Sequence, residues 1–207
     1  MNKLGLLALV VAASASAQDI HNGTITIVGP NEYIDHYSTY TLEVWGQWDS
    51  PDFIEGVSAM AGFGFDIEQT IGQEQIVSVG NLQYAPWAAA FGTDPTIVGN
   101  DMLGISGGQL ANLFGILNPD IDLGNPILLF TFEITTGEEH VWNIEFTPTN
   151  PNVNAGLSFY PDSENGASII APNDADTSLT MNSWAYYIPS PASTVPLFLM
   201  LAARRRR

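Results

Sequence analysis

The chain has 207 residues, 45% of them hydrophobic and none of them cysteine, which fits one sizeable domain and excludes disulfides, thiolate metal sites and cysteine nucleophiles. Its 22 Asp and Glu accompany only five basic residues, Lys3 and Arg204–Arg207, and the formal net charge is −17. Because no Lys or Arg lies between Lys3 and Arg204, we expect the domain to bind neither nucleic acid nor anionic membrane surfaces. The charge balance leaves divalent cations and neutral polymers as candidate partners.

The first 17 residues have the three regions of a secretory signal peptide. Lys3 supplies the positive charge, Leu4–Ala13 the apolar run, and Ala15-Ser16-Ala17 the small residues of a cleavage site. We predict cleavage after Ala17 and export of the remainder, which divides into a domain at 18–188 and a C-terminal tail at 189–207.

Short alternating runs broken by Gly, Pro, Asn and Asp fill the domain and predict β-strands. Every second residue is apolar in four runs: Tyr40–Gln47, Phe63–Glu68, Leu128–Ile134 and Trp142–Phe146. Weaker runs occupy Thr24–Val28, Gln75–Val79, Ala167–Ala171 and Ser178–Asn182. The pattern predicts an all-β fold, an antiparallel β-sandwich with Leu128 and Trp142 in its core.

The segment from Phe91 to Pro126 is rich in Gly and Asn and is predicted to be a long loop. Within it, Gln109–Leu117 has the pattern of one or two helical turns.

The stretch "GFGFDIEQTIGQEQIVSVGNLQYAPW", followed by "NPILLFTFEITTGEEHVWNIEFTP", resembles the strand order of cohesin-type domains. Related carbohydrate-binding sandwiches share this jelly-roll shape. The resemblance spans roughly residues 24–182 and implies a cohesin-like sandwich. It transfers no partner-binding residue to this chain.

No arrangement of residues indicates catalysis, and we expect the protein not to be an enzyme. The three histidines are far apart in sequence and lack a Ser or acid partner motif. Asp66 and Glu68 alternate on the outer face of a predicted strand, where a solvated charged face is the simpler interpretation than a catalytic pair.

Calcium is the cofactor for which the acidic domain has the right chemistry, because carboxylate oxygens are its preferred ligands. If such a site exists, we expect it at Asp162, Glu164, Asp174 and Asp176, in two turns dense in oxygen side chains. The alternative is that these residues stabilise turns through their side chains.

Three aromatic residues make glycan binding an alternative function. Trp45 falls on the outward phase of its strand, while Tyr84 and Trp87 lie in the turn-like segment "LQYAPW". An exposed, coplanar pair among these three rings would form a stacking platform for sugars, whereas core positions would make them structural.

The tail, "PSPASTVPLFLMLAARRRR", resembles the PEP-CTERM sorting signal, a Pro-x-Pro motif followed by an apolar span and an arginine cluster. Pro189, Ser190 and Pro191 match the motif, with Ser where Glu is commonest, and Arg204, Arg205, Arg206 and Arg207 match the basic end. The resemblance implies processing by an exosortase-type enzyme. The 12 residues from Ala192 to Ala203 would span about 18 Å as a helix, against about 30 Å of hydrocarbon.

Taken together, the sequence predicts an exported structural or adhesive protein of the cell envelope, outer surface or extracellular matrix, anchored transiently by its tail. Its partners would be the exosortase-type enzyme and exopolysaccharide or another surface protein, with no nucleic acid. The alternative is an extracellular glycan-binding module that uses calcium.

The charge balance makes a first prediction about stability. Carboxylates without Lys or Arg repel one another, and salt screens that repulsion, so we expect the melting temperature to rise with added NaCl or CaCl₂. Thermal unfolding followed by circular dichroism checks this. A melting temperature unchanged from low to moderate salt would contradict it.

Overall fold

A computed structural model describes residues 20–110, 121–138, 140–150, 156–161 and 168–188. The strands in these ranges are β1 (His21–Val28), β2 (Thr39–Asp49), β3 (Ala59–Ile71), β4 (Ile76–Tyr84), β5 (Thr96–Val98), β6 (Asp101–Gly108), β7 (Ile127–Thr136), β8 (Asn143–Thr149), β9 (Leu157–Tyr160), β10 (Ile169–Ala171), β11 (Thr177–Asn182) and β12 (Trp184–Tyr187). A short helix, α1 (Pro86–Ala89), and a 3-10 turn at Gln73–Gln75 complete the described elements. The predicted signal peptide, the tail and most of the predicted turns at Gln109–Leu117 lie outside the described residues.

The strands form two sheets that confirm the predicted β-sandwich. A five-stranded sheet has the order β11-β1-β2-β7-β4, and a seven-stranded sheet has the order β10-β9-β3-β6-β5 with β8 and β12 attached through β3. Among the described pairs, only β1 and β11 are parallel. The sandwich is therefore antiparallel except at this edge.

Strand β3 organises the seven-stranded sheet because it is 13 residues long. Its first half pairs with β9 and its second half pairs with β8, while β6 runs along its other side. The outward positions of β3 thus lie in the middle of the outer face of this sheet.

The core between the sheets is rich in aromatic rings. Phe63, Phe65 and Ile67 of β3 are buried as predicted, and Phe130 of β7 lies 5.7 Å from the Phe63 ring and 5.8 Å from the Phe65 ring. A second aromatic contact joins β2 to β9, where the Trp48 and Phe159 ring centroids are 4.3 Å apart. Each such side chain contributes roughly 1.5–3 kcal/mol through burial.

One prediction for the core face of β7 was wrong by one residue. Leu128, expected inside, is only partly buried, whereas Leu129 is fully buried. The cause is a β-bulge, since Val44 pairs with Phe130 while the next residue, Trp45, pairs with Leu128. The extra residue reverses the inward and outward phases on either side of it.

The prediction of a loop from Phe91 to Pro126 was wrong for β5 and β6. In β6 the buried residues Met102 and Ile105 are three apart rather than two, and Gly104 between them has φ 76°. Phe65 and Ile67 pair with Ile105 and Met102, so β6 carries an additional residue at this point. Gly104 tolerates the left-handed conformation of this bulge. The bulge interrupts the two-residue alternation of apolar and polar positions by which a strand is predicted from sequence.

Trp142 was also predicted wrongly, because its ring is 50% exposed. It precedes β8, in which Ile144 and Phe146 are buried as expected. The preceding residue, Val141, is the buried one. The regular alternation of buried and less buried residues therefore begins at Asn143, the first residue of β8, and does not include Trp142.

The segment before β8 is held by the buried side chain of Gln75. Its Oε1 atom accepts hydrogen bonds from the backbone N–H groups of Trp142, at 2.7 Å, and Asn143, at 3.4 Å. Its Nε2 atom donates to Asn143 Oδ1 at 3.1 Å. One neutral amide therefore ties the start of β4 to the start of β8.

We predict that Gln75→Leu lowers the free energy of unfolding by about 1–3 kcal/mol, because the part-buried N–H groups of Trp142 and Asn143 lose their acceptor. Urea denaturation measures the change. Gln47→Leu, at an exposed position of β2, is the matched control and should stay within about 0.5 kcal/mol of wild type. Equal stability of the two variants would show that the Gln75 amide does not hold this segment.

Candidate functional site

The described part of the chain contains a groove on the outer face of the seven-stranded sheet. It has a volume of about 300 Å³ and crosses β9, β3 and β6. The lining residues are small or apolar: Gly62, Phe63, Gly64, Ser106, Gly107, Gly156, Ser158 and Ile170. None of them is charged.

The floor of the groove is low because the outward positions of β3 lack side chains there. Phe63 and Phe65 point into the core, so Gly62 and Gly64 place bare backbone on the opposite face, where Gly64 is half-buried and Gly62 is buried against its neighbours. A Cβ atom at Gly62 would lie 2.9 Å from the Gly107 carbonyl oxygen. This close approach of β3 to β6 requires glycine at position 62.

Hydroxyl groups hold one side of the groove in place. Thr93 Oγ1 lies 2.8 Å from Ser106 Oγ, and the Thr93 carbonyl accepts a hydrogen bond from the Tyr84 hydroxyl. Burial raises the pKa of this hydroxyl, so Tyr84 stays protonated and continues to donate. On the floor, Ser158 Oγ donates to the Gly62 carbonyl at 3.1 Å.

The acids that follow the groove along β3 accept hydrogen bonds from neighbouring strands. Asp66 Oδ1 accepts from the Gly104 N–H at 2.6 Å, and Glu68 Oε1 accepts from Thr149 Oγ1 at 2.9 Å. Both are half-buried rather than fully solvated. They place negative charge on the sheet beyond the neutral groove.

The aromatic residues predicted to form a glycan platform do not present a shared exposed face. Trp87 is 1% exposed, and its Nε1 donates to the Leu128 carbonyl at 2.7 Å. Tyr84 is half-buried, and its ring centroid lies 6.2 Å from that of Phe63. Trp45 is half-buried, with its Nε1 bonded to Glu43 Oε2 at 2.9 Å. Trp87 therefore has no ring face available to a sugar.

The predicted calcium ligands are only partly within the described ranges. Asp162 and Glu164 lie outside them. Asp174 Oδ2 accepts from the Ile170 N–H at 2.7 Å, which is a turn-stabilising contact, and Asp176 has φ 56°. No group of three or more His, Asp or Glu that could hold a metal ion occurs in the described part of the chain, and the four-residue site stays a prediction.

Ion pairing is confined to one histidine in the described ranges. His21 Nε2 lies 3.8 Å from Asp52 Oδ2, and His21 Nδ1 lies 2.7 Å from Ser50 Oγ. His21 thus has a Ser and an acid partner for which the sequence carries no motif, with the hydroxyl and the carboxylate at opposite ring nitrogens.

Sequence reasoning missed the groove, although "AGFGF" carries a signal for it. A strand with glycine at successive outward positions bares its backbone, and that pattern often marks close approach by another backbone or a ligand. The contributions of Ser106 and Ser158 depend on long-range pairing and have no local signal.

Comparison with solved structures gives cohesin modules. A type I cohesin–dockerin complex from Clostridium thermocellum is 11% identical, with a TM-score of 0.47 over 77% of this chain and 96% of that chain. A type I cohesin from Pseudobacteroides cellulosolvens is 8% identical, with a TM-score of 0.48 over 83% and 94%. A type II cohesin from Bacteroides cellulosolvens is 12% identical, with a TM-score of 0.45 over 79% and 98%.

No protein-family model matches the chain, and no curated protein matches it in sequence. Among the described residues, no helix has the length and apolar character needed to cross a membrane.

Proposed function

We propose that this chain is an exported, non-catalytic docking module, which holds another surface protein in the groove of its seven-stranded sheet. The observation that carries the proposal is the uncharged groove of about 300 Å³, with Gly62 and Gly64 on its floor. A partner side chain or backbone can approach such a floor closely, because no side chain stands in the way.

The groove favours a protein over a sugar as its occupant. Sugars stack on open aromatic faces, and the one ring that lines the groove, Phe63, is 6% exposed and belongs to the core. Serine hydroxyls and backbone groups suit a polypeptide segment with a small apolar contact at its centre. The C. thermocellum cohesin is described in a complex with a dockerin, and a protein is the partner class proposed for this chain as well.

The charge of the domain specifies the partner further. Asp66 and Glu68 lie beyond the neutral groove on β3, and the stretch between Lys3 and Arg204 offers no Lys or Arg. A partner with Lys or Arg around a neutral central contact would be steered to this face and aligned on it. We therefore propose a basic surface around the segment that enters the groove.

The motifs at the two ends of the chain support a route by which the protein reaches the cell envelope. We propose export by the signal peptide at 1–17 and sorting to the cell envelope by the PEP-CTERM-like tail at 189–207, with processing by an exosortase-type enzyme. The domain would then act in the envelope or extracellular matrix in a structural or adhesive role.

Two measurements in the native cell test this function. Fractionation should find the full chain in the envelope, and a chain that ends at Ile188 should be released into the medium. A photo-crosslinking residue placed at Ser158 should then give one discrete protein adduct in the envelope fraction, as expected for a group that lines the groove.

The matched control carries the same crosslinking residue at Gln47, an exposed position of β2 in the other sheet, and should give no such adduct. In a second variant, Ser106→Trp added to the crosslinker at Ser158 should abolish the adduct by filling the groove. Identical adducts from positions 158 and 47, or none from position 158, would overturn the docking proposal.

A further inference from the structure

Four aromatic rings meet on the surface beside the starts of β2 and β8. We call His36, Tyr37, His140 and Trp142 the ring cluster. Successive ring centroids are 5.4 Å apart for His36 and Tyr37, 5.6 Å for His36 and His140, and 6.1 Å for His140 and Trp142. All four residues are exposed, Tyr37 by 67% and Trp142 by 50%.

The backbone that carries the first two rings is fixed to the end of β7. Tyr37 N–H donates to the Gly137 carbonyl at 3.1 Å, and Ser38 N–H donates to Thr136 Oγ1 at 2.9 Å. The Thr136 hydroxyl in turn donates to the Asp35 carbonyl at 2.7 Å. Tyr37 has φ 51°, an unfavourable conformation for a bulky residue, which these bonds maintain while its ring faces solvent.

The backbone at Trp142 is fixed equally well. Its N–H donates to the buried Gln75 side chain at 2.7 Å, and its carbonyl accepts from the Ile188 N–H at 2.8 Å. The two halves of the ring cluster therefore sit on anchored segments. A ligand that binds them has little backbone ordering to offset.

None of the four side chains belongs to the buried core of the domain. Single exposed aromatic residues are ordinary, but four in contact on one surface form a patch of the kind that binds ligands. All three successive pairs are edge-on, with interplanar angles of 65°, 84° and 72°. In each pair the edge of one ring meets the face of its neighbour, so each contact covers at most one ring face and the remaining faces of the four rings are left uncovered within the cluster.

We propose that the ring cluster binds a neutral polysaccharide. Exposed ring faces, above all that of Trp142, suit the apolar faces of sugars, while imidazole nitrogens exchange hydrogen bonds with hydroxyl groups. The carboxylates of Asp35 and Glu138, which are exposed next to His36 and near His140 in the chain, add acceptors. These carboxylates, and the lack of Lys and Arg between Lys3 and Arg204, oppose binding of an acidic polymer.

This site is separate from the docking groove, because the two share no lining residue. It also differs from the platform predicted at Trp45, Tyr84 and Trp87. A chain that binds a protein in its groove and a polysaccharide at its ring cluster would link the two components of a matrix. Loss of either activity leaves the other measurable.

Affinity electrophoresis of the exported chain tests the proposal. The probe is the neutral fraction of the matrix polysaccharide from the cells that export the protein, with a polyuronate as the acidic comparison. We expect retardation by the neutral probe alone, and at least a tenfold loss of affinity in Trp142→Ala. Trp142→Phe keeps a ring and should retain most of the binding.

Phe91→Ala removes an exposed aromatic ring outside the cluster and is the matched control, expected to bind as wild type does. Circular dichroism confirms that each variant is folded. No retardation of the wild type by the neutral probe, or equal retardation of wild type and Trp142→Ala, would overturn the proposal. Binding to zwitterionic lipid vesicles that Trp142→Ala abolishes, without polysaccharide binding, would assign the ring cluster to a lipid surface instead.

Discussion

The structure depends on how an acidic domain without Lys or Arg satisfies its buried polar groups. Primary amides take the place of ion pairs. Asn125 illustrates this, because its Oδ1 accepts from the Trp48 N–H at 2.9 Å and its Nδ2 donates to the Trp48 carbonyl at 2.7 Å. Gln109 Nε2 likewise bridges the Met60 and Asp122 carbonyls, at 2.7 and 2.9 Å. A neutral amide both donates and accepts, so it closes such contacts without burying a charge.

The same constraint shapes the surfaces proposed to bind partners. Gln69 is 2% exposed and donates to the Gly72 carbonyl at 2.8 Å, which fixes the end of β3 beyond the groove. Gln75 holds the backbone of Trp142 and hence one side of the ring cluster. Hydrogen bonds of neutral amides hold these backbone segments in place. The Asp and Glu side chains give the surface around the uncharged groove its negative charge.

Much of the fold is encoded locally, and the failures have identifiable causes. Period-two alternation predicts β2, β3 and β7 because one face of each strand is buried. It fails at Gly104, where a bulge separates the inward residues of β6 by three positions, and at Leu128, where a bulge reverses the phase. Such irregularities are set by pairing with a distant strand and leave little trace in the local pattern.

The candidate sites were less accessible to sequence reasoning than the strands were. The glycines of "AGFGF" lie on the outward phase of β3, but only the pairing with β6 and β9 turns them into a groove. The ring cluster joins residues about 100 positions apart, and it forms because Thr39 pairs with Thr135, which places the residues before β2 opposite those after β7. No local pattern contains that register.

We propose that the domain binds its partner through the outer face of the seven-stranded sheet. Hydrogen–deuterium exchange of the protein in the native envelope, compared with the purified chain, tests it most directly. We expect added protection at β3, β6 and β9 around the groove, with β2 unchanged. Protection absent from all three strands, or confined to the five-stranded sheet, would contradict it.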